Sequence, residues 1–347
     1  MADTHYVHIA PSGEARRLPT IADVAMVRGE PGYVWLDLIE PSREELSALC
    51  EPFGVHPLVV EDCLDEEQVP RFAEFPGHSF ALVNRFFYRE GVVAMEEVDF
   101  ILGADFLITV ASVAAEPVAS RRQREAVAAE RAAIGAGPDR LLHALLDRIV
   151  DDKLEAIEAL QDDLDAAEED VIERSALQFD PARLLKLRRS LLMVRKSLVH
   201  EREVLVRICR KDSRFITDAA ILAFRDVYDH LVKFAEIVEG CREMVAGVME
   251  IRLSLVNNEL ATLGNRTNLV MRRLTYVTTI FMPLSFFAGV GGMSEWSAMM
   301  GPENWRWSYP LFLVLMALVA GLSHHGLRWL ERRPPSAASG FADFPRR

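Results

Sequence analysis

Several things this chain has little of narrow its function before any motif is read. Basic side chains are in short supply: 39 Lys and Arg stand against 52 Asp and Glu, a formal net charge of −13 at pH 7. A nucleic-acid binder needs clustered cationic groups to displace counterions, so nucleic acid is excluded as a partner. An acidic surface keeps a protein soluble and is compatible with cations as ligands. The four cysteines, Cys50, Cys63, Cys209 and Cys241, form no Cys-x-x-Cys pair. Zinc ribbons and thioredoxin-like chemistry therefore drop out, and a reducing compartment fits. Phosphate-loop, His-Glu-x-x-His and Gly-x-Ser-x-Gly motifs are missing, so no ATP-driven step and no hydrolase is indicated; the chain reads as a non-enzyme without a cofactor. The N-terminus has no basic region followed by an apolar core, so no signal peptide is expected.

Long apolar runs are lacking until residue 274. From there a charge-free run extends from Leu274 to Met293, and a second from Trp307 to Leu327. Each is about 20 residues, enough to cross a hydrocarbon core about 30 Å thick. The mean hydropathy of +0.09 fits a water-soluble body carrying two spans. Arg266, Arg272 and Arg273 precede the first run and Arg328, Arg332 and Arg333 follow the second, while the loop between holds Glu295, Glu303 and Arg306. The positive-inside rule then puts both termini in the cytoplasm.

Residues 1–135 read as a cytoplasmic α/β domain. Tyr33–Leu38, Phe80–Tyr88 and Phe106–Val110 are strand candidates, and Ser42 with Glu45 forms a capping box that opens a helix. Residues 136–272 read as a cytoplasmic helical domain and stalk. An acidic helix covers Asp139–Arg174, and Asp180-Pro181 starts the next in cap and first-turn positions. Its Leu184, Leu187, Leu191, Val194 and Leu198 step by three and four, as a packing seam does. A third helix starts near Thr217 or Asp218, with a seam of Val227, Leu231, Phe234, Val238, Cys241, Val245 and Val248. No proline interrupts it before Pro283, so it is expected to run unbroken into the first span, roughly 75 residues and on the order of 110 Å. Residues 273–333 hold the two transmembrane helices and a short external loop; residues 334–347 read as a disordered cytoplasmic tail.

Two spans per chain do not enclose a water-filled path, so conduction implies a homo-oligomer in the bilayer. Along the first span Thr275, Thr278, Met282, Ser285 and Gly289 step by three and four, with Asn268 and Met271 below. A stripe of this kind either bonds the waters of a hydrated ion or packs helices closely through small residues, and periodicity leaves both readings open.

Tyr276 to Gly292, followed by Met293-Ser294, resembles the first span of the CorA family of divalent-cation channels. Phe224–Leu231, Asn265–Met271, Trp35–Leu38, Phe53–Leu64 and Trp305–Pro310 are similar to that family too, in order, over about residues 30 to 333. The resemblance implies a homopentameric funnel: an α/β N-terminal cytoplasmic domain, a long stalk helix lining one pore, and two C-terminal transmembrane helices. By position, Asn268, Met271, Leu274, Thr278, Met282, Ser285 and Gly289 would line the pore. Leu274 and Met282 would be constrictions that close by dewetting. Thr278 is polar where the family often has an aliphatic residue.

The resemblance further implies a regulatory divalent-cation site, with Mg2+ as ligand and substrate, built from Asp62 and Asp226 between neighbouring chains. Two facing carboxylates repel unless a cation or protons lie between them. The implied function is a channel for Mg2+ or a related ion such as Co2+, Ni2+ or Zn2+ in a bacterial inner membrane, gated by intracellular cation. A ZntB-like proton-coupled zinc transporter and a non-conducting membrane-anchored cation sensor or scaffold stay open beside it. Two departures bear on the ion. The outer mouth reads Gly292-Met293-Ser294 where the family has Gly-Met-Asn, and a hydroxyl is shorter than an amide that holds a hydrated Mg2+ by its waters. About seven extra residues, Glu259 to Asn265, lengthen the stalk by two helical turns and so preserve its register.

Overall fold

The computed structural model describes residues 3–65, 68–89, 91–111, 134–173, 181–293, 298–299, 301 and 303–332. Two compact units divide the chain, Met1–Leu253 and Ser254–Arg347.

The first unit is built on a seven-stranded mixed sheet. In chain order the strands are β1 (Asp3–Ile9), β2 (Ala15–Leu18), β3 (Tyr33–Ile39), β4 (Arg71–Glu74), β5 (Ser79–Arg89), β6 (Val92–Leu102) and β7 (Phe106–Ala111). Their spatial order is β2-β1-β3-β7-β6-β5-β4, with β3 and β7 parallel and every other pair antiparallel. The central strands are covered on both faces, which is why Tyr33–Ile39 and Phe106–Ala111 read as nearly unbroken apolar runs.

Alternation along the strands sorts the two cores. Val34, Leu36 and Leu38 of β3 and Phe80 and Leu82 of β5 face one side. There they pack with three short helices, α1 (Ile21–Val27), α2 (Arg43–Phe53) and α3 (Pro57–Asp62). The expected capping box opens α2: the Ser42 N–H donates to Glu45 Oε2 at 2.7 Å and the Glu45 N–H to Ser42 Oγ at 3.2 Å. A second box, Thr20 with Asp23, opens α1. Tyr33 and Trp35, with Ala81 and Val83, face the other side and meet α4 (Pro138–Glu173), α5 (Pro181–Cys209) and the first part of α6 (Asp218–Gly291).

Both predicted helical seams are buried, Leu184 to Leu198 on α5 and Val227 to Val248 on α6. The carboxylate of Asp139, at the start of α4, accepts from the Thr217 N–H at 2.9 Å and its hydroxyl at 2.6 Å, anchoring the start of α6. Deeper in, Lys153 of α4 donates to Glu201 of α5 at 2.5 Å, with both side chains 1% exposed. The other Glu201 oxygen accepts the Asn84 N–H from β5 at 2.9 Å and the Ser197 hydroxyl at 3.1 Å. One buried carboxylate thus joins two helices to the sheet.

Burial along α6 ends at Val248. The second unit contains the rest of α6 and α7 (Trp305–Arg332). Both helices contain a stretch long and apolar enough to cross a membrane, with mean hydropathies of 1.4 and 1.7 and no residue of those stretches buried within the chain. A Cβ on Gly291 would lie 2.8 Å from the Phe312 ring, so the bare backbone there is what lets α6 and α7 meet. Asp180, Ser294 and the tail 334–347, each assigned a role from the sequence, lie outside the described residues.

Candidate ion pathway and cation cluster

The seven residues expected along the pore all fall on α6, C-terminal to its buried seam. At 100° per residue, Asn268, Met271, Leu274, Thr278, Met282, Ser285 and Gly289 occupy an arc of about 120°, one face of the helix. All seven are exposed, Met282 by 77% and Leu274 by 57%. Among the described residues nothing buries this face.

The hydroxyls on this part of α6 are oriented by the helix itself. Thr275 Oγ1 donates to the Met271 carbonyl at 2.9 Å, and Thr278 Oγ1 to the Leu274 carbonyl at 2.9 Å and the Thr275 carbonyl at 3.1 Å. With its proton bonded back to the preceding turn, each hydroxyl offers only lone pairs outward. A hydrated cation presents water hydrogens, so an acceptor is the complementary group. Pro283 interrupts the ladder in the next turn, since it has no N–H for the Thr279 carbonyl. The helix closes with the Gly292 N–H on the Ala288 carbonyl at 3.0 Å and the Met293 N–H on the Val290 carbonyl at 3.2 Å. That places Gly292 and Met293 of the expected mouth at the C-terminal end of α6.

The two expected regulatory acids sit in different clusters. Asp62, the last residue of α3, forms an ion pair with Arg71 of β4, and its carbonyl accepts from Gln68 Nε2 at 2.9 Å. Asp226 lies on α6, exposed, with His230 one turn on and Asp147 of α4 opposite; one ligand atom from each falls within 4.8 Å of the others. The resemblance sets Asp62 against Asp226 across neighbouring chains, so a single chain shows the two halves separately.

Asp147 and His230 were not singled out from the sequence. The Asp226–His230 spacing of four is a legible signal, since i and i+4 share a helix face. Asp147 was one of many acids on an acidic helix, and only the packing of α4 on α6 selects it. Two carboxylates and an imidazole make a donor set for a divalent cation. The carboxylates suit Mg2+, and the imidazole adds affinity for Co2+, Ni2+ or Zn2+.

Residues 30–328 match the family described as CorA-like Mg2+ transporter protein. The chain is 33% identical over 307 residues to the cobalt/magnesium transport protein CorA of Thermotoga maritima, covering 86% of this chain and 83% of the relative. It is 30% identical over 293 residues to a putative metal ion transporter of Bacillus subtilis, covering 84% and 87%. Among solved structures, the complete CorA magnesium transporter from Methanocaldococcus jannaschii has the same fold, with a TM-score of 0.68 at 22% identity over 94% of this chain and 97% of that one. The cytoplasmic domain of ZntB from Vibrio parahaemolyticus is also alike in fold, with a TM-score of 0.54 at 14% identity over 74% of this chain and 97% of that one.

Proposed function

The chain belongs to the CorA-like Mg2+ transporter family, and from that premise we propose that it carries a divalent metal cation through a membrane as a homopentamer. The observation that carries the reading is the exposed face of α6. Polar and apolar side chains are interspersed along it, and nothing among the described residues covers it. Five copies around an axis would turn that face into a wall. Thr278 and Ser285 would touch the waters of a hydrated ion, with Met282 forming a dry constriction between them and Leu274 a second one a turn before Thr278. Asn268 and Met271 extend the same wall toward the N-terminal end of α6, and Gly289 toward the mouth formed by Gly292, Met293 and Ser294.

The ion is Mg2+ or a relative such as Co2+, Ni2+ or Zn2+. It flows down its electrochemical gradient, to which the membrane potential contributes about 2.3 kcal/mol per charge per 100 mV. The site is a bacterial inner membrane, with residues 273–333 as the spanning region and both termini on the cytoplasmic side, as the flanking arginines argue. Gating follows from the acids. The carboxylates of Asp226 and Asp147 repel one another when no cation lies between them, and with His230, and Asp62 of a neighbouring chain drawn off its Arg71 pairing, they close around an intracellular cation. Uptake of Mg2+, Co2+, Ni2+ and Zn2+ into proteoliposomes, with and without a pH gradient, tests this. Uptake independent of the pH gradient supports the channel. Uptake only with a proton gradient replaces it with a proton-coupled carrier, and no uptake of any ion leaves a cation sensor.

A further inference from the structure

A second cluster of acids lies on the face of the sheet that carries α1, α2 and α3. A pocket of about 280 Å3 opens there, its polar wall made by Glu40, Cys63, Asp65, Glu97 and Asp99, with Val110 of β7 behind. Its place follows from strand alternation: Glu97 and Asp99 are two apart on β6 and share the face of Ile101, which lies in the apolar core with α3. Asp99 is 3% exposed, and its Oδ1 has no hydrogen-bond partner among the described residues. Such an atom is costly to bury unless something occupies the space in front of it. Cys63 lines the same pocket, where burial and then the neighbouring Asp99 carboxylate push its thiol pKa up. Glu97 Oε2 accepts the Gln68 N–H at 3.3 Å. Opposing charge comes from Arg71, which is paired with Asp62. Burial, and then the Glu97 charge, pushes Asp99 up to about 8; burial pushes Glu97 up to about 7.

We propose that this pocket is a divalent-cation site distinct from the Asp147–Asp226–His230 cluster, in which Asp99 Oδ1 and Cys63 Sγ ligate a borderline transition-metal ion such as Co2+ or Zn2+. Thiolate sulfur selects such ions over Mg2+, which prefers oxygen alone. At about 30 Å3 per water the pocket holds the ion with several waters, through which Glu97 and Asp65 reach it. Binding deprotonates the thiol, and its proton leaves to solvent. The assignment does not depend on conduction, since the site is complete within one chain and its occupancy is read without a membrane potential.

The test is a Co2+ titration of the metal-free full chain in detergent, followed by optical absorption. A sulfur-to-cobalt charge-transfer band saturating near one Co2+ per chain is expected. Cys63→Ser abolishes the band, Cys209→Ser keeps it, and Asp99→Asn weakens Co2+ binding at least tenfold. Glu97→Gln, at the pocket edge, weakens it severalfold and serves if Asp99→Asn does not fold. No band at saturating Co2+, a band that survives Cys63→Ser, or unchanged affinity in both acid variants would overturn the proposal and leave the pocket without a metal role. Ion uptake in proteoliposomes is the same in either case, so failure here and failure of the transport reading are separable.

Discussion

Glu201→Gln is a severe test of how the first unit is held together. In the native chain the Glu201 carboxylate faces the Lys153 ammonium at 2.5 Å, both side chains 1% exposed, and also accepts the Asn84 N–H. Burial pushes the Lys153 pKa down, and Glu201 opposes that push. The glutamine oxygen keeps the Asn84 contact, but its NH2 then meets an ammonium donor to donor. The lysine escapes by giving up its proton. A reference pKa near 10.4 lies about 3.4 units above pH 7, so neutralising it costs at most about 5 kcal/mol. Breaking a buried pair from one side costs about 3–5 kcal/mol, in agreement. The expected loss is therefore about 3–5 kcal/mol at pH 7, read from urea unfolding of the full chain in detergent. The sign of its pH dependence follows: the folded variant holds Lys153 neutral while the unfolded chain holds it charged. The unfolded state then binds the extra proton, stability rises with pH, and the deficit shrinks by about 1.4 kcal/mol per unit from pH 7 to 9. Adding Lys153→Met removes the stranded amine, so the double variant is more stable than Glu201→Gln alone. A loss below about 1 kcal/mol, a deficit flat in pH, or a double variant no better than the single would refute the reasoning.

Three further outcomes follow. Burial raises the Glu96 carboxyl to about 7 with Arg85 opposing, so this group favours folding when protonated and its contribution fades as pH rises from about 4.5 to 7; Glu96→Gln should flatten the unfolding midpoint over that window by an amount on the order of 1–3 kcal/mol. Asp226→Ala removes one of three donors and should raise the Mg2+ concentration needed for protease protection tenfold or more, as should Asp62→Ala; unchanged protection in both would remove the regulatory assignment. If residue 294 stands at the proposed mouth, Ser294→Asn introduces the amide of the family signature and should raise Mg2+ uptake relative to Co2+ at least severalfold, whereas an unchanged ratio would show that residue 294 does not choose the ion.

The helical part of the chain was plain in the sequence because its seams repeat by three and four without interruption. Every residue named in the α5 and α6 seams is buried. The unbroken run of α6 into the apolar stretch was equally legible, since no proline falls before Pro283. The sheet was harder to see. β6 carries Glu96, Glu97 and Asp99 within a single strand, a charge density that hides its strand pattern, which is why it is not among the strand candidates; the pocket and Arg85 give those charges a reason. β1, with His5 and His8, and the four-residue β2 and β4 are too short or too polar to signal, and tertiary pairing decides them. The candidate site divides the same way. The α6 face follows from spacing on one helix, while the meeting of Asp147 with Asp226 and His230 depends on two helices nearly 80 residues apart in the chain, which no local pattern encodes.

Ion uptake by the purified full chain in sealed proteoliposomes tests the central claim most directly. Uptake of Mg2+ or Co2+ down its gradient, faster with an inside-negative potential and suppressed when Met282 is replaced by a bulkier Trp, is the predicted result. Vesicles that stay impermeable to Mg2+, Co2+, Ni2+ and Zn2+ at every internal cation concentration would contradict it.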